Sequence, residues 1–284
     1  MRTKYSQKDF EIYNLPGNRA RQFFTIFRIE WKTLLLLNVI ILLFFIPYLA
    51  LNIVKWTFCD SYYVSIFNTS SSPEHDYAVA EFYIFMIASG IMLIIYPIIS
   101  ICFSGAIKII QRCVYAEGVL FKEDFFLGIK KNWGQLIILA IIFGLFKALL
   151  QFNISFSNIY PGIASSIFQG VSYAIFYGII MPLILFTAAN VVTYKMSIIV
   201  GLSNSIKMLI KKLHISLLFS LIFYGMTFVE IIPNIIVRTF VSSGIILLTS
   251  SLFLLTWYLF STSIFDAYLN RENYPEIYRK GLRP

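Results

Sequence analysis

From Thr33 to Val54 the chain reads TLLLLNVIILLFFIPYLALNIV, 22 residues without one charged side chain. A segment this apolar exceeds the roughly 20 residues that carry a helix across a hydrocarbon layer, where every backbone polar group must be satisfied internally. A cleavable export signal has an apolar core of only about 7–15 residues, so the run reads as a retained first span. Five further apolar runs follow, over about 81–103, 134–152, 164–194, 215–232 and 241–265. The tails and connections left over from 284 residues are too short for a separate soluble domain. Composition agrees: 58% of residues are hydrophobic, 13% are charged and the mean hydropathy is +0.77. A soluble globular chain has about 45–50% apolar and about 25% charged residues. A soluble enzyme is excluded. The expected fold is an all-α polytopic membrane helix bundle with six transmembrane helices, its membrane domain 33–265 lying between tails 1–32 and 266–284.

The formal charge is +9, which in a soluble chain would point to nucleic acid. The distribution gives a different reason for it. With six crossings, the N-terminal tail, the second and fourth connections and the C-terminal tail share one side. They hold 7, 5, 4 and 4 Lys and Arg, 20 of the 23 in the chain. The other side holds Lys55 and Arg238, and Lys147 lies within a span. Basic residues are retained on the cytoplasmic side of a membrane, so both termini are expected to be cytoplasmic and no nucleic-acid partner is expected. Cys59, Cys102 and Cys113 are odd in number and unpaired in spacing, and His75 and His214 stand far apart. No phosphate loop, HExxH or nucleophile–base constellation occurs, so no enzyme motif and no cofactor is expected.

The richest connection is SGAIKIIQRCVYAEGVLFKEDFFLGIKKNWGQ, between the second and third runs. Helical periodicity from Phe121 puts Phe121, Phe125, Phe126, Ile129 and Trp133 on one arc and Glu123, Asp124, Lys130 and Lys131 on the other. Acids at the start and lysines at the end suit the helix dipole. The pattern predicts a short helix over 121–133 lying along the inner membrane interface, rings toward lipid or bundle and charges in water. It serves either as an anchor or as a docking surface for a cytoplasmic partner, with Glu117, Gly118, Asn132 and Trp133 in the same candidate set. RARQFFTIFRIEWK, ahead of the first span, reads as an interfacial helix whose rings and cations suit anionic headgroups, and Lys207, Lys211 and Lys212 read the same way. The stretch 55–79, with its NTSSSPEH, reads as a long outer loop.

Polar side chains inside the spans are Asn38, Lys147, Gln169, Asn190 and Glu230. An ionisable group at membrane depth is a functional candidate because an unpaired charge there is costly. Lys147 and Glu230 fall near the outer ends of their spans, where snorkelling to the interface or an ion pair gives a structural account.

LLLLNVIILLFFIP, with Asn38 and Pro47, and the later segment in which Glu117 and Gly118 precede Asp124, Phe125, Phe126, Gly128 and Asn132, resemble the bacterial YesL-like family of membrane proteins. NVVTYKMSIIVGLSNSIKMLIKKL is similar to that family's second inward loop. The family usually has a short turn after the first-span proline, where this chain has 55–79. Genes of this kind commonly lie beside those for carbohydrate uptake by ABC transporters. The resemblance thus implies an accessory role in a bacterial cytoplasmic membrane, and it supplies no binding residues.

The expectation is a non-enzymatic accessory or assembly protein, its partners the lipid bilayer and either ABC permease subunits or a second copy of the chain. The alternative is a small secondary transporter or channel for a neutral solute, held by rings from the 18 Tyr, 28 Phe and 4 Trp. Few ionisable groups near the midplane favour the first, since coupled transporters bind their ions there.

Overall fold

The computed structural model describes residues 15–67, 70–194, 196–214, 216–217 and 228–283, with Glu230 described by its main chain alone. All regular structure among them is helical: α1 (Arg19–Phe67), α2 (Pro73–Val114), α3 (Phe121–Ile159), α4 (Ile163–Ile175), α5 (Met181–Tyr194), α6 (Ile198–Lys211) and α7 (Ile235–Phe265). A π-helical turn, Phe176–Ile180, joins α4 to α5, and a second, Asp266–Asn270, follows α7. Among the described residues five helical stretches are long and apolar enough to cross a membrane, as a multi-pass membrane helix bundle requires. The expected fifth span, 215–232, lies almost wholly outside the described residues.

The helices are longer than the apolar runs that seed them. At 1.5 Å per residue α1 extends about 73 Å, α2 about 63 Å and α3 about 58 Å, against about 30 Å of hydrocarbon. They therefore tilt or project beyond it. In α1 the helix is interrupted at Glu30, with φ −105° and ψ 19°, which sets the ring- and arginine-bearing start of the helix apart from the span.

Two expectations are corrected. The stretch 55–79 is not a long loop: α1 continues to Phe67 and α2 begins at Pro73, a residue suited to the first helical position by its fixed φ and absent N–H. Polar Asp60 and Ser61 interrupt the hydropathy there but not the helix. Cys59 and Ile66 are buried, Trp56 packs edge-on against Phe85 and Tyr63 against Tyr77.

The inner segment is likewise not a loop bearing a separate surface helix. α2 runs to Val114, only residues 115–120 connect, and the expected interfacial helix is the start of α3, unbroken to Ile159. It lies against α2, because Gly105 and Gly128 let the two backbones meet. A Cβ on Gly128 would fall 2.6 Å from the Ser104 carbonyl oxygen and 3.0 Å from the Gly105 Cα, and one on Gly105 would fall 2.6 Å from the Phe125 ring.

The core gathers Leu37 and Ile41 of α1, Ile109 and Ile110 of α2, Phe186 of α5 and Leu255 and Phe265 of α7, all fully buried. Apolar side chains such as Leu43, Ile94, Leu149, Ile163 and Phe240 face outward, and α4 buries no residue fully. Outward apolar surface on this scale suits hydrocarbon rather than water. Asn38, buried, accepts a hydrogen bond at its Oδ1 from the Ser251 N–H at 2.6 Å and so ties α1 to α7.

Candidate functional site

Polar groups collect at the two ends of the bundle. At one end the N-terminal segment, the α2–α3 connection and the C-terminal segment meet. Arg19 Nη2 lies 2.6 Å from Asp266 Oδ2, with side chains 10% and 11% exposed. Arg19 Nη1 also donates to Gln22 Oε1 at 2.8 Å and to the Lys280 carbonyl at 3.0 Å. Gln22 Nε2 donates to the carbonyls of Val114 at 2.6 Å and Gly281 at 3.1 Å. The π-turn after α7 puts Asp266 and Asn270 on one side, so that Asp266 Oδ1 accepts from Asn270 Nδ2 at 2.8 Å and from the Arg279 N–H at 3.1 Å. Tyr194 of α5 donates to Asn270 Oδ1. Gly281 closes the assembly with φ +80°, a conformation natural to glycine, and a Cβ there would meet the Val114 carbonyl oxygen at 2.1 Å.

A second set of ion pairs adjoins the first. Arg112 Nη1 lies 2.5 Å from Glu117 Oε2 and Arg112 Nε lies 3.1 Å from Asp124 Oδ1, while Lys280 Nζ reaches Glu117 Oε1 at 2.7 Å. Asp124 Oδ2 also accepts from the Leu120 N–H at 2.9 Å, capping the start of α3. Burial alone would raise the Glu117 carboxyl, but hydrogen bonds and charge from Lys280 and Arg112 outweigh it and hold it below the ordinary carboxylate value.

The inner candidate residues therefore divide. Glu117 and Asp124 belong to the ion-pair set. Asp124, expected in water, is buried, as are Phe125 and Asn132, whose Nδ2 donates to the Gly128 carbonyl at 3.2 Å. Gly118 lies in the connection with open space about its Cα. Glu123, Phe126, Lys130, Lys131 and Trp133 keep outward-facing, exposed positions. The buried row is 124, 125, 128 and 132, so the face toward α2 cuts across the predicted arc, taking Phe125 in and leaving Phe126 out. Arg19, Gln22, Asp266, Asn270 and Lys280 carry no sequence signal beyond their place in polar tails next to apolar runs. Asn190, fully buried, donates from Nδ2 to Ser205 Oγ at 2.9 Å and links α5 to α6. The Glu230 side chain lies outside the described residues.

At the opposite end a cavity of about 70 Å³ opens between α1, α2, α3 and α4. Lys55 and Lys147 line it, with Asn52, Gln151, Tyr48 and Tyr173 among the polar walls. Lys147 Nζ lies 3.5 Å from the Tyr177 hydroxyl and sits over the rings of Phe176 and Tyr177 at 5.4 and 5.7 Å. Both rings stand in the π-turn, a distortion that often marks a functional position. Lys55 Nζ lies 4.3 Å from the Phe85 ring and 5.2 Å from the Trp56 ring. Tyr96, which lines the cavity, packs against Phe143 at 5.1 Å, and Phe143 against Phe176 at 5.7 Å. Among the described residues no group of three or more His, Cys, Asp or Glu is placed to hold a metal.

Compared with known proteins, the chain matches no family model, no curated protein and no solved structure.

Proposed function

We propose that the chain is a non-enzymatic accessory or assembly protein of a bacterial cytoplasmic membrane, with both termini cytoplasmic, rather than a solute pathway. The observation that carries this reading is the ion-paired basic end, where Arg19–Asp266 and Lys280–Glu117 join both terminal segments to the rest of the bundle. Alternating access needs a polar site near the midplane that opens to each side in turn. Here Asn38 and Asn190 instead tie helices together.

The exposed row of Phe126, Lys130 and Trp133, flanked by Glu123 and Lys131, offers rings and charges at the membrane boundary, a composition suited to a partner that is itself in the membrane. ABC permease subunits of a carbohydrate uptake system are the partner that the sequence resemblance suggests, and a second copy is the other candidate. A second reading, a small transporter for a neutral solute, would use the rings and amides of the cavity walls.

Reconstitution into liposomes separates the two: the accessory reading expects no sugar flux above protein-free vesicles, and partner-independent flux would overturn it. Permease subunits should co-purify from native membranes and be lost from the Phe126→Ala/Trp133→Ala variant while membrane insertion persists; retention in that variant would remove this face from the reading. Cysteines placed at Ser71 and Lys280 should label from opposite sides of the membrane, and labelling from one side would overturn the topology.

A further inference from the structure

We propose that α6 lies in the plane of the membrane at the basic end and binds the headgroups of anionic phospholipids through Lys207 and Lys211. At 1.5 Å per residue its 14 residues extend about 21 Å, short of the roughly 30 Å of hydrocarbon, and both of its ends are held at the boundary. Just before its start, the Met196 carbonyl accepts from Gln135 Nε2 at 3.1 Å, at the beginning of the apolar run of α3. At its end, Lys211 Nζ stands 4.3 Å from the ring of Tyr268, just past the apolar run of α7. Between these points α6 crosses α5. Asn190 Nδ2 reaches both Ser205 Oγ at 2.9 Å and Met208 Sδ at 4.0 Å, and Gly201 faces Val191 and Thr187. Contacts spread from Gly201 to Met208 thus fall within Thr187 to Val191, a shorter length of α5, so the two helices do not run side by side.

At about 100° per residue, three sectors follow one another around α6. Gly201, Ser205, Met208 and Leu209 are buried against the bundle. Ile199, Ile206 and Ile210 form a stripe that is 81%, 43% and 72% exposed. Lys207 and Lys211 stand beside that stripe, both exposed. An aliphatic stripe bordered by cations is the pattern of a helix that sinks one face to the acyl boundary and keeps its charges at headgroup level. The lysine stems run over the apolar surface while the ammonium groups reach the phosphates.

Charge selects the lipid. The sequence has no Asp or Glu between Asp124 and Glu230, and among the described residues neither Lys207 nor Lys211 pairs with a carboxylate. Lys131, exposed and one turn before Gln135 on α3, adds a further cation near the start of α6. The Tyr268 ring fixes where the Lys211 ammonium sits and leaves its charge intact. An anionic phospholipid brings a phosphate without a cation of its own, whereas the choline of a zwitterionic lipid offsets its phosphate. A soluble acidic partner would meet the lysines but leave the isoleucine stripe in water; a lipid covers both.

The test follows the thermal unfolding temperature of the full chain in uncharged detergent, titrated with short-chain phosphatidylglycerol and, separately, with phosphatidylcholine of the same chain length. A saturable rise is expected with phosphatidylglycerol alone. Lys207→Gln and Lys211→Gln should each weaken it about fivefold, the scale of one basic residue at an anionic surface. Lys207→Arg should keep it, and Lys122→Gln, which removes an exposed lysine from the start of α3, should leave it unchanged. If Lys211→Gln does not fold, Lys207→Gln decides alone. Nitroxide labels on the chain in phosphatidylglycerol vesicles read the orientation, the native Cys59, Cys102 and Cys113 being buried. Labels at Ile206→Cys and Ile210→Cys should be relaxed by oxygen and not by a water-soluble nickel chelate, and a label at Lys207→Cys the reverse. No saturable rise, an equal rise with phosphatidylcholine, affinity unchanged in the folded Lys207→Gln variant or an equal loss in Lys122→Gln would overturn the proposal. So would nickel relaxation at Ile206→Cys and Ile210→Cys, which would put the stripe in water and open it to a soluble partner.

Discussion

The two ends of the bundle treat positive charge in opposite ways. At the basic end Arg19, Arg112 and Lys280 each meet a carboxylate contributed by another segment, and Glu117 is shared between Arg112 and Lys280. At the cavity end Lys55, Lys147 and Arg238 rest on aromatic rings. A half-buried ion pair whose partners come from opposite ends of the chain fixes tertiary structure, since neither partner can be removed without stranding the other. A cation on a ring is held in position and keeps its charge. Stability is therefore expected to reside chiefly at the first end.

The sharpest way to break that comparison is Asp266→Ala. It strands the Arg19 guanidinium and removes the acceptor for Asn270 and for the Arg279 N–H. Breaking a buried pair from one side costs about 3–5 kcal/mol, so the variant should unfold at a much lower temperature in detergent than the wild type. If Lys147→Ala lowers the unfolding temperature as far, the two ends do not differ in kind.

Gly128→Leu comes next. Its Cβ would fall 2.6 Å from the Ser104 carbonyl oxygen, and forcing α2 from α3 should cost about 1–3 kcal/mol. Gly134, in the same helix, has nothing within 4 Å of the place a Cβ would take, so Gly134→Ala should be neutral or stabilising by about 0.5–1 kcal/mol. Equal melting of the two variants would mean that the close α2–α3 approach is not what holds this end together.

How far the sequence discloses these ends depends on what each residue's neighbours add. Hydropathy locates the described spans because the hydrocarbon acts on each segment alone. Periodicity over Phe121–Trp133 discloses a helix but not its partner: adjacent residues such as Phe125 and Phe126 stand about 100° apart around a helix, and the space left by Gly105 decides that Phe125 goes inward. Asp124 reads as solvated because it is charged, and its burial follows from Arg112 standing opposite on α2. In 55–79 the helical spacing of Trp56, Cys59, Tyr63 and Ile66 is present in the letters, masked by Asp60 and Ser61 between them. Lys147 stands out alone, but Lys55 joins it in one cavity only through the fold.

A smaller effect tests the ion pairs by pH. Glu117 is held below the ordinary carboxylate value because Lys280 and Arg112 outweigh its burial. Its contribution is therefore present above the unfolded-state value, near 4.5, and is lost as pH falls through the depressed folded-state value. Glu117→Gln should lower the plateau near neutrality and flatten part of the acid limb of unfolding temperature against pH. Because the carboxylate is 29% exposed, solvent screening keeps the change modest. Parallel wild-type and variant curves would show that Glu117 adds nothing to the closure.

The smallest expected effect on stability belongs to Phe126→Ala and Trp133→Ala. These side chains are 59% and 53% exposed, so in detergent each change should stay within about 0.5 kcal/mol. Phe125→Ala, one residue away, empties the space against Gly105 and should cost about 3–5 kcal/mol. Adjacent phenylalanines with opposite outcomes separate the part of this end that holds the bundle from the part that faces outward. Should Phe126→Ala destabilise the isolated chain as much as Phe125→Ala, its ring is packed within the protomer, and the outward row loses its claim as a contact surface.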